Sequence, residues 1–285
     1  MTAVVMDGNA LRDEIVADIR QRIEAAGSPD ICLATVLVGD DKPSQRYVKM
    51  KHAKAAEAGL ASRHADLPAT ATQAEVESVV RGLAVDPSVH GILVQLPLPD
   101  GLDAEPVIDL IAPDKDVDGL TERSLGRLMR GRPGLVGATP TGIMRLLERY
   151  DIPTSGRRAV VIGRSLLVGL PISLLLARKG VDATVTMAHS RTPDMADVVR
   201  QADIVVAAAG QARMVTADMV KPGATVIDVG VSRTEAGIVG DVDYDAVAEI
   251  AGHITPMPGG TGAMTIASLL ENAMTAARLQ GVLQT

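Results

Sequence analysis

Apolar positions along the chain follow two periods in turn. Between residues 8 and 25, Leu11, Ile15, Ile19 and Ile23 recur every four residues, the spacing of one helix face. The run ICLATVLV at 31–38 is then continuously apolar and stops at Gly39, the pattern of a strand buried on both sides. A helix over about 44–58 follows, with Ser44 as its N-cap and Gly59 as its stop. A strand near 60–66 and a helix over 72–84, opened by Thr72 and acids Glu75 and Glu77, come next. VHGILV at 89–94 is another buried strand, closed by the stiff QLPLPDG. Helices near 104–111, 121–129 and 141–150 complete the first half. In the second half, strands at 157–163, 183–189, 203–210 and 225–231 alternate with helices at 169–179 and 193–202. A last helix runs from Ala263 to about 280. Strands separated by helices predict an α/β chain with parallel sheets. The Gly/Pro-rich GRPGLVGATP at 131–140 marks the boundary between two domains.

Composition narrows the picture. A length of 285 residues fits two domains, and 47% hydrophobic with 22% charged residues excludes a disordered chain, a coiled coil or a collagen. Phe and Trp are absent, and the only aromatics are Tyr47, Tyr150 and Tyr244, so the core must be Val, Leu, Ile, Ala and Met. Three tyrosines and a net charge of -7 offer little to nucleic acid. No run of 18 apolar residues predicts a membrane span, and Asp7 interrupts the N-terminus too early for a signal peptide. Cys32, the single cysteine, lies in an apolar strand and reads as an inert buried thiol, consistent with a reducing cytoplasm.

Chemistry is suggested at four places. The strand at 157–162 runs into Gly163-Arg164-Ser165-Leu166-Leu167-Val168-Gly169 and then a helix. Such a turn aims backbone N–H groups and a positive helix end at a phosphate, although the strict G-x-G-x-x-G spacing is absent and a ligand-free turn is the alternative. The next strand ends in His189-Ser190-Arg191-Thr192, without the carboxylate that binds a ribose 2′-hydroxyl. Arg164 and Arg191 suit a 2′-phosphate, which favours NADP over NAD unless Arg191 is only a solvated charge. Tyr47 and Lys51 share a helix face at i, i+4, a spacing that surface helices also produce by chance. Gln95 is a polar group at the end of an apolar strand, a common active-site position. Asp116 and Asp118 either supply a carboxylate for a ligand with two adjacent N–H donors or build a turn and a helix cap. The loop PMPGGTG at 256–262 exposes backbone N–H groups or simply reverses the chain. The five histidines show no metal-ligand spacing, and no metal is expected.

Read together, VGDDKPSQRYVKMKHAKAAEAG, GILVQLPLP, PDKDVDG, ATPTGIM, VVIGRSLLVGLP, TVTMAHSRT, ADIVVAAAG, VKPGATVIDVGV, GDVDYDAV and ITPMPGGTGAMT resemble the bifunctional methylenetetrahydrofolate dehydrogenase/cyclohydrolase (FolD) family over nearly the whole chain. The resemblance implies a catalytic domain at 1–137, completed by a helix at 264–285, and a Rossmann-like NADP-binding domain at 138–263, with a folate cleft between them. It implies NADP-dependent oxidation of 5,10-methylenetetrahydrofolate to the methenyl cation, then hydrolysis to 10-formyltetrahydrofolate. By matching position, Lys51 is the acid/base of hydrolysis, Gln95 bonds near it, Tyr47 packs on the folate and Asp118 binds the pterin. Leu96, Pro258, Gly259 and Gly260 line the folate; Gly163, Arg164, Ser165, Ser190, Arg191 and Val231 hold NADP. A cytoplasmic homodimer serving one-carbon metabolism and purine biosynthesis is implied, with no nucleic-acid or membrane partner. Leu166, Leu170, Thr261, Ala263 and Ala138 depart from the usual pattern. A short-chain dehydrogenase would place its glycine turn before the Tyr/Lys pair, the reverse of this order. A non-catalytic NADP-binding module or a dehydrogenase without hydrolysis would not need both Lys51 and Gln95.

Overall fold

The computed structural model describes residues 2–235 and 237–284. In chain order its elements are β1 (Val4–Val5), α1 (Gly8–Ala25), β2 (Cys32–Val38), α2 (Lys42–Glu57), β3 (Ala61–Leu67), α3 (Gln73–Val85), β4 (Gly91–Val94), α4 (Ala104–Ile108), α5 (Glu122–Met129) and α6 (Ala138–Arg149). They continue with β5 (Arg158–Ile162), α7 (Gly169–Ala177), β6 (Thr184–Ala188), α8 (Met195–Arg200), β7 (Ile204–Ala207), β8 (Thr225–Asp228), β9 (Ser232–Thr234), β10 (Gly237–Val239), α9 (Tyr244–Ala248), β11 (His253–Ile254) and α10 (Thr261–Leu279).

The chain divides into two compact units. The first consists of Asp13–Ala138 and Ile266–Thr285, the second of Met1–Arg12 and Thr139–Thr265. The first dozen residues therefore group with the second-half sheet, not with the 1–137 domain expected from sequence. The cause is β1, which pairs in parallel with β11 through Val4↔His253 and Val5↔Ile254. A two-residue strand is too short to leave a period in the sequence.

In the first unit, β3-β2-β4 form a parallel sheet with β2 central and all seven of its residues buried. Side chains alternate across such a sheet. Leu33 and Leu93 join Ile19, Ile23, Leu269, Leu270 and Met274 from α1 and α10 on one side. Val36, Ile92 and Val94 join Val76, Val80 and Val107 from α3 and α4 on the other. Asn272 ties α10 to this unit by donating from Nδ2 to the carbonyls of Val117 (2.8 Å) and Val136 (2.7 Å). Thr72 and Glu75 form a reciprocal cap on α3. On α2 the N-cap is Asp41 rather than Ser44: the Asp41 carboxylate accepts the Ser44 N–H at 2.9 Å, so the helix starts two residues earlier than expected.

The second unit contains a six-stranded parallel sheet in the order β1-β11-β8-β7-β5-β6, with a separate β9–β10 hairpin. Its core contains Val160, Ile162, Val205, Val226 and Ile254, branched aliphatics in place of aromatics. The reversal of strand order falls between β5 and β7, and ligands of open α/β sheets bind at such a point, beyond the C-terminal strand ends.

Candidate active site

The buried stripe of α2 is Ser44, Val48, Lys51 and Ala55, spaced four, three and four residues apart. That register carries Lys51 inward, and only 5% of it is exposed. Its Nζ donates to Gln95 Oε1 at 3.1 Å and lies 4.9 Å from the Tyr47 ring centroid. Gln95 extends β4 by one residue, its N–H donating to the Val36 carbonyl at 2.9 Å. Its Nε2 donates to the Leu96 carbonyl at 2.7 Å, which turns the amide so that its oxygen faces the lysine. The Leu96–Pro97 bond is cis.

Tertiary packing separates the two acids that sequence left as a pair. Asp116 is fully buried, and its carboxylate accepts the N–H of Leu120 (3.2 Å) and the N–H and hydroxyl of Thr121 (2.9 and 2.8 Å). It is the turn-builder. Asp118 is only partly covered and interacts electrostatically with Lys51. Burial pushes the Asp118 carboxyl above its ordinary range, and the Lys51 charge opposes this. Burial likewise pulls the Lys51 ammonium below the usual lysine value, and Asp118 opposes that. Burial is the larger influence on both groups, and their mutual attraction is the smaller, opposing one.

The turn after β5 depends on two glycines. Gly163 has φ +125, and a Cβ there would collide with the Ala208 carbonyl, so only glycine fits. A Cβ on Gly169 would strike the Gly163 carbonyl. The first amides of α7 have partners within the turn. The Ser165 hydroxyl oxygen accepts from Val168 N (3.1 Å) and Gly169 N (3.4 Å), and the Ser165 carbonyl takes Leu170 N (3.0 Å). What the turn offers outward is the exposed segment 164–167. Leu166 stands open there, an apolar group on the rim. Past β6, Thr192 closes a turn by accepting His189 N (2.9 Å) and donating its own N–H to the His189 carbonyl (2.8 Å). His189 Nδ1 accepts Arg191 N at 3.2 Å, so the ring shapes this turn, and Ser190 and Arg191 are exposed. Val231, past β8, is also exposed.

Pro258, Gly259 and Gly260 belong to the second unit, apart from the unit that holds Lys51. Asn9 N donates to the Gly259 carbonyl at 3.1 Å, and Gly8 packs so closely on Gly260 that a Cβ would overlap its oxygen. Thr261 is explained by its surroundings: the buried hydroxyl donates to the Asp228 carbonyl at 2.7 Å.

Sequence reasoning missed two polar clusters. Thr35, fully buried on β2, bonds His52 Nε2 (2.6 Å) and His64 Nδ1 (2.9 Å), and His64 Nε2 meets Asp66 at 2.7 Å. Two histidines that read as scattered thus share one threonine, because β2 and β3 pair with Thr35 opposite His64. The second cluster joins Asp228 and Asp241, neither of which stood out in sequence. Among the described residues no group of three His, Cys, Asp or Glu side chains is placed to hold a metal ion.

A glycine-cornered turn on a parallel sheet, and a buried lysine with an amide and a carboxylate on a second α/β unit, define a class: α/β enzymes that join a dinucleotide-binding unit to an acid/base site. Comparison with known proteins makes the assignment specific. Residues 6–118 match the catalytic domain and residues 137–281 the NAD(P)-binding domain of the tetrahydrofolate dehydrogenase/cyclohydrolase profile. "Bifunctional protein FolD 2" of Frankia alni is 52% identical over 281 residues, covering 98% of this chain and 97% of that protein. The crystal structure of the FolD enzyme of Campylobacter jejuni superimposes with a TM-score of 0.94 at 42% identity, covering 97% and 99% of the two chains. The Trypanosoma brucei FolD, solved with NADP cofactor and inhibitor, gives 0.92 at 38% identity and 98% coverage of each. The chain belongs to the tetrahydrofolate dehydrogenase/cyclohydrolase family, whose members are bifunctional enzymes of one-carbon folate metabolism.

Proposed function

We propose that this chain oxidises 5,10-methylenetetrahydrofolate with NADP and hydrolyses the methenyl product to 10-formyltetrahydrofolate, with Lys51 as the acid/base of the second reaction. The supporting observation is the buried Lys51 amine held 3.1 Å from Gln95 Oε1. Hydrolysis needs proton transfers around an attacking water. A lysine performs them only when part of it is neutral near pH 7, and burial moves Lys51 that way. Gln95 aims the amine, and the Tyr47 ring packs beside it and offers a face to a flat substrate. Asp118 supplies the carboxylate for the paired N–H donors of the pterin; burial raises its pKa, and the Lys51 charge opposes that rise. Leu96, Pro258, Gly259 and Gly260 complete the folate contacts in this reading.

NADP, when bound, supplies the hydride acceptor. The substrate's own nitrogen lone pairs expel the hydride, so that step asks the protein mainly for position. Gly163, Arg164, Ser165 and Val231 would hold the cofactor, and Ser190 and Arg191 would meet its 2′-phosphate. Support for NADP over NAD is the exposed Arg164 and Arg191 and the lack of a carboxylate in the turn 189–192. The catalytic domain in this reading is 13–137 with 264–285, and the cofactor domain is 138–263 together with residues 1–12, whose β1 pairs with β11. The uncovered edge strand β6, with Met187 exposed, supports a homodimer through that unit. The free, buried Cys32 supports a cytoplasmic setting, and the net charge of -7 argues against nucleic-acid or anionic-membrane partners. The product would serve purine biosynthesis as a one-carbon donor.

The test mixes enzyme, 5,10-methylenetetrahydrofolate and NADP or NAD, following reduced nicotinamide and methenyl absorbance. NADP reduction without methenyl build-up is expected, with build-up appearing in Lys51→Met. Reduction of NAD in preference would overturn the arginine argument, and full hydrolysis by Lys51→Met would overturn the role of Lys51.

A further inference from the structure

Two buried acids in the cofactor unit have no part in the chemistry above. Asp228 ends β8, and Asp241 lies two residues past β10; both are almost completely buried. Asp241 Oδ2 accepts the amides of Ala209 (2.7 Å) and Gly210 (2.9 Å), which follow β7. The Asp241 N–H in turn donates to Asp228 Oδ1 at 2.9 Å. Asp228 Oδ1 also accepts Gly230 N (3.1 Å), and its Oδ2 accepts Val242 N (3.0 Å). Two carboxylates thus gather five amides from three loops. The packing is close: a Cβ on Gly230 would overlap the Asp241 carboxylate, and one on Gly240 would overlap that of Asp228.

This arrangement is costly. Asp241 Oδ1 is buried with no hydrogen-bond partner, and among the described residues neither acid forms an ion pair. Burial pushes Asp228 up to about 6, and the neighbouring Asp241 charge adds to the shift. The cost is offset by the five backbone amides that the two carboxylates accept, since each amide left unpaired in the interior costs about 1–3 kcal/mol. The amides that these acids hold lie at the C-terminal rims of β7 and β8, on one side of the strand-order reversal. Arg164, Ser190 and Arg191 lie on the other side, at the rims of β5 and β6. A dinucleotide lying across the reversal puts its adenosine half over β5 and β6 and its nicotinamide half over β7 and β8.

We propose that Asp241 is a positioning residue for the nicotinamide end of the cofactor, holding the Ala209–Gly210 amides directly and the Gly230–Val231 rim through Asp228. The proposal rests on the reading of this unit as an NADP site. Its test compares wild type, Asp241→Ala and Asp241→Asn in three measurements: NADPH affinity by fluorescence titration, affinity for 2′,5′-ADP (the adenosine half alone) by calorimetry, and cofactor-free hydrolysis of methenyltetrahydrofolate. In Asp241→Ala, NADPH affinity is expected to fall at least tenfold, with 2′,5′-ADP affinity and hydrolysis within twofold of wild type. Asp241→Asn keeps an oxygen for both amides and should restore NADPH affinity to within threefold. If Asp241→Ala does not fold, Asp241→Ser carries the same comparison with a smaller loss. An unchanged NADPH affinity, an equal loss of both ligands, or an asparagine as impaired as alanine would overturn the proposal. A wild type that binds neither ligand would instead overturn the NADP reading itself.

Discussion

Gln95→Glu tests the lysine chemistry by placing a charge where the structure shows a neutral oxygen. The Gln95 oxygen is 3.1 Å from Lys51 Nζ. At that separation and an effective dielectric of about 20, a full charge pair is worth about 5 kcal/mol. Gln95 is partly exposed, so solvent screening reduces this to roughly 2–3 kcal/mol. The carboxylate favours the ammonium over the amine, so it opposes the lowering that burial imposes on Lys51. At about 1.4 kcal/mol per decade, the neutral fraction at pH 7 falls roughly thirty- to a hundredfold. Hydrolysis should fall by the same factor and recover about tenfold per pH unit as pH rises, because deprotonating the lysine restores the base. Dehydrogenase activity should stay within a few-fold. The assay is the decay of methenyl absorbance between pH 6.5 and 9, with uncatalysed hydrolysis subtracted and Gln95→Leu as the uncharged control. Hydrolysis at pH 7 within twofold of wild type would refute the reasoning. So would a loss that no rise in pH repairs.

Three further outcomes follow from the same geometry. Gly163→Ala forces a side chain into φ +125 and against the Ala208 carbonyl, at a cost of about 1–3 kcal/mol from backbone strain alone; NADPH titration should show binding lost while hydrolysis persists. Arg191→Ala should raise the KM for NADP roughly tenfold and leave that for NAD unchanged, through loss of one charge-assisted contact of about 1.5 kcal/mol. Asn272→Leu leaves the carbonyls of Val117 and Val136 without their donor inside the first unit, and urea unfolding should show a loss of roughly 2–4 kcal/mol.

The chain's alternation of apolar runs and four-residue periods was enough to place the major strands and helices. Strands β2, β4, β7 and β8 are buried along their whole length, and a strand covered on both faces is mostly apolar, with Thr35, Thr225 and Asp228 the buried polar exceptions. The glycine turn after β5 was readable for a related reason, since only glycine tolerates its backbone. The short strands β1, β9, β10 and β11 were not readable. They span two or three residues, and distant partners define them.

Local sequence determined the α/β class, a core built from aliphatic side chains without Phe or Trp and the residue types at each candidate site. Tertiary structure alone decided which of those residues are buried and which meet. Spacing could not say whether Asp116 or Asp118 builds the turn; the Thr121 hydrogen bonds to Asp116 settle it. Nor could it say that Lys51 is buried against Gln95, 44 residues away, since a Tyr-x-x-x-Lys spacing suits an exposed helix face equally well. His52 and His64 meet only because of the β2–β3 register, and Asp228 and Asp241 only because two loops converge. A period of two or four residues records which face of an element is covered. The identity of the group that covers it depends on chain segments far away, and that information exists only in the folded molecule.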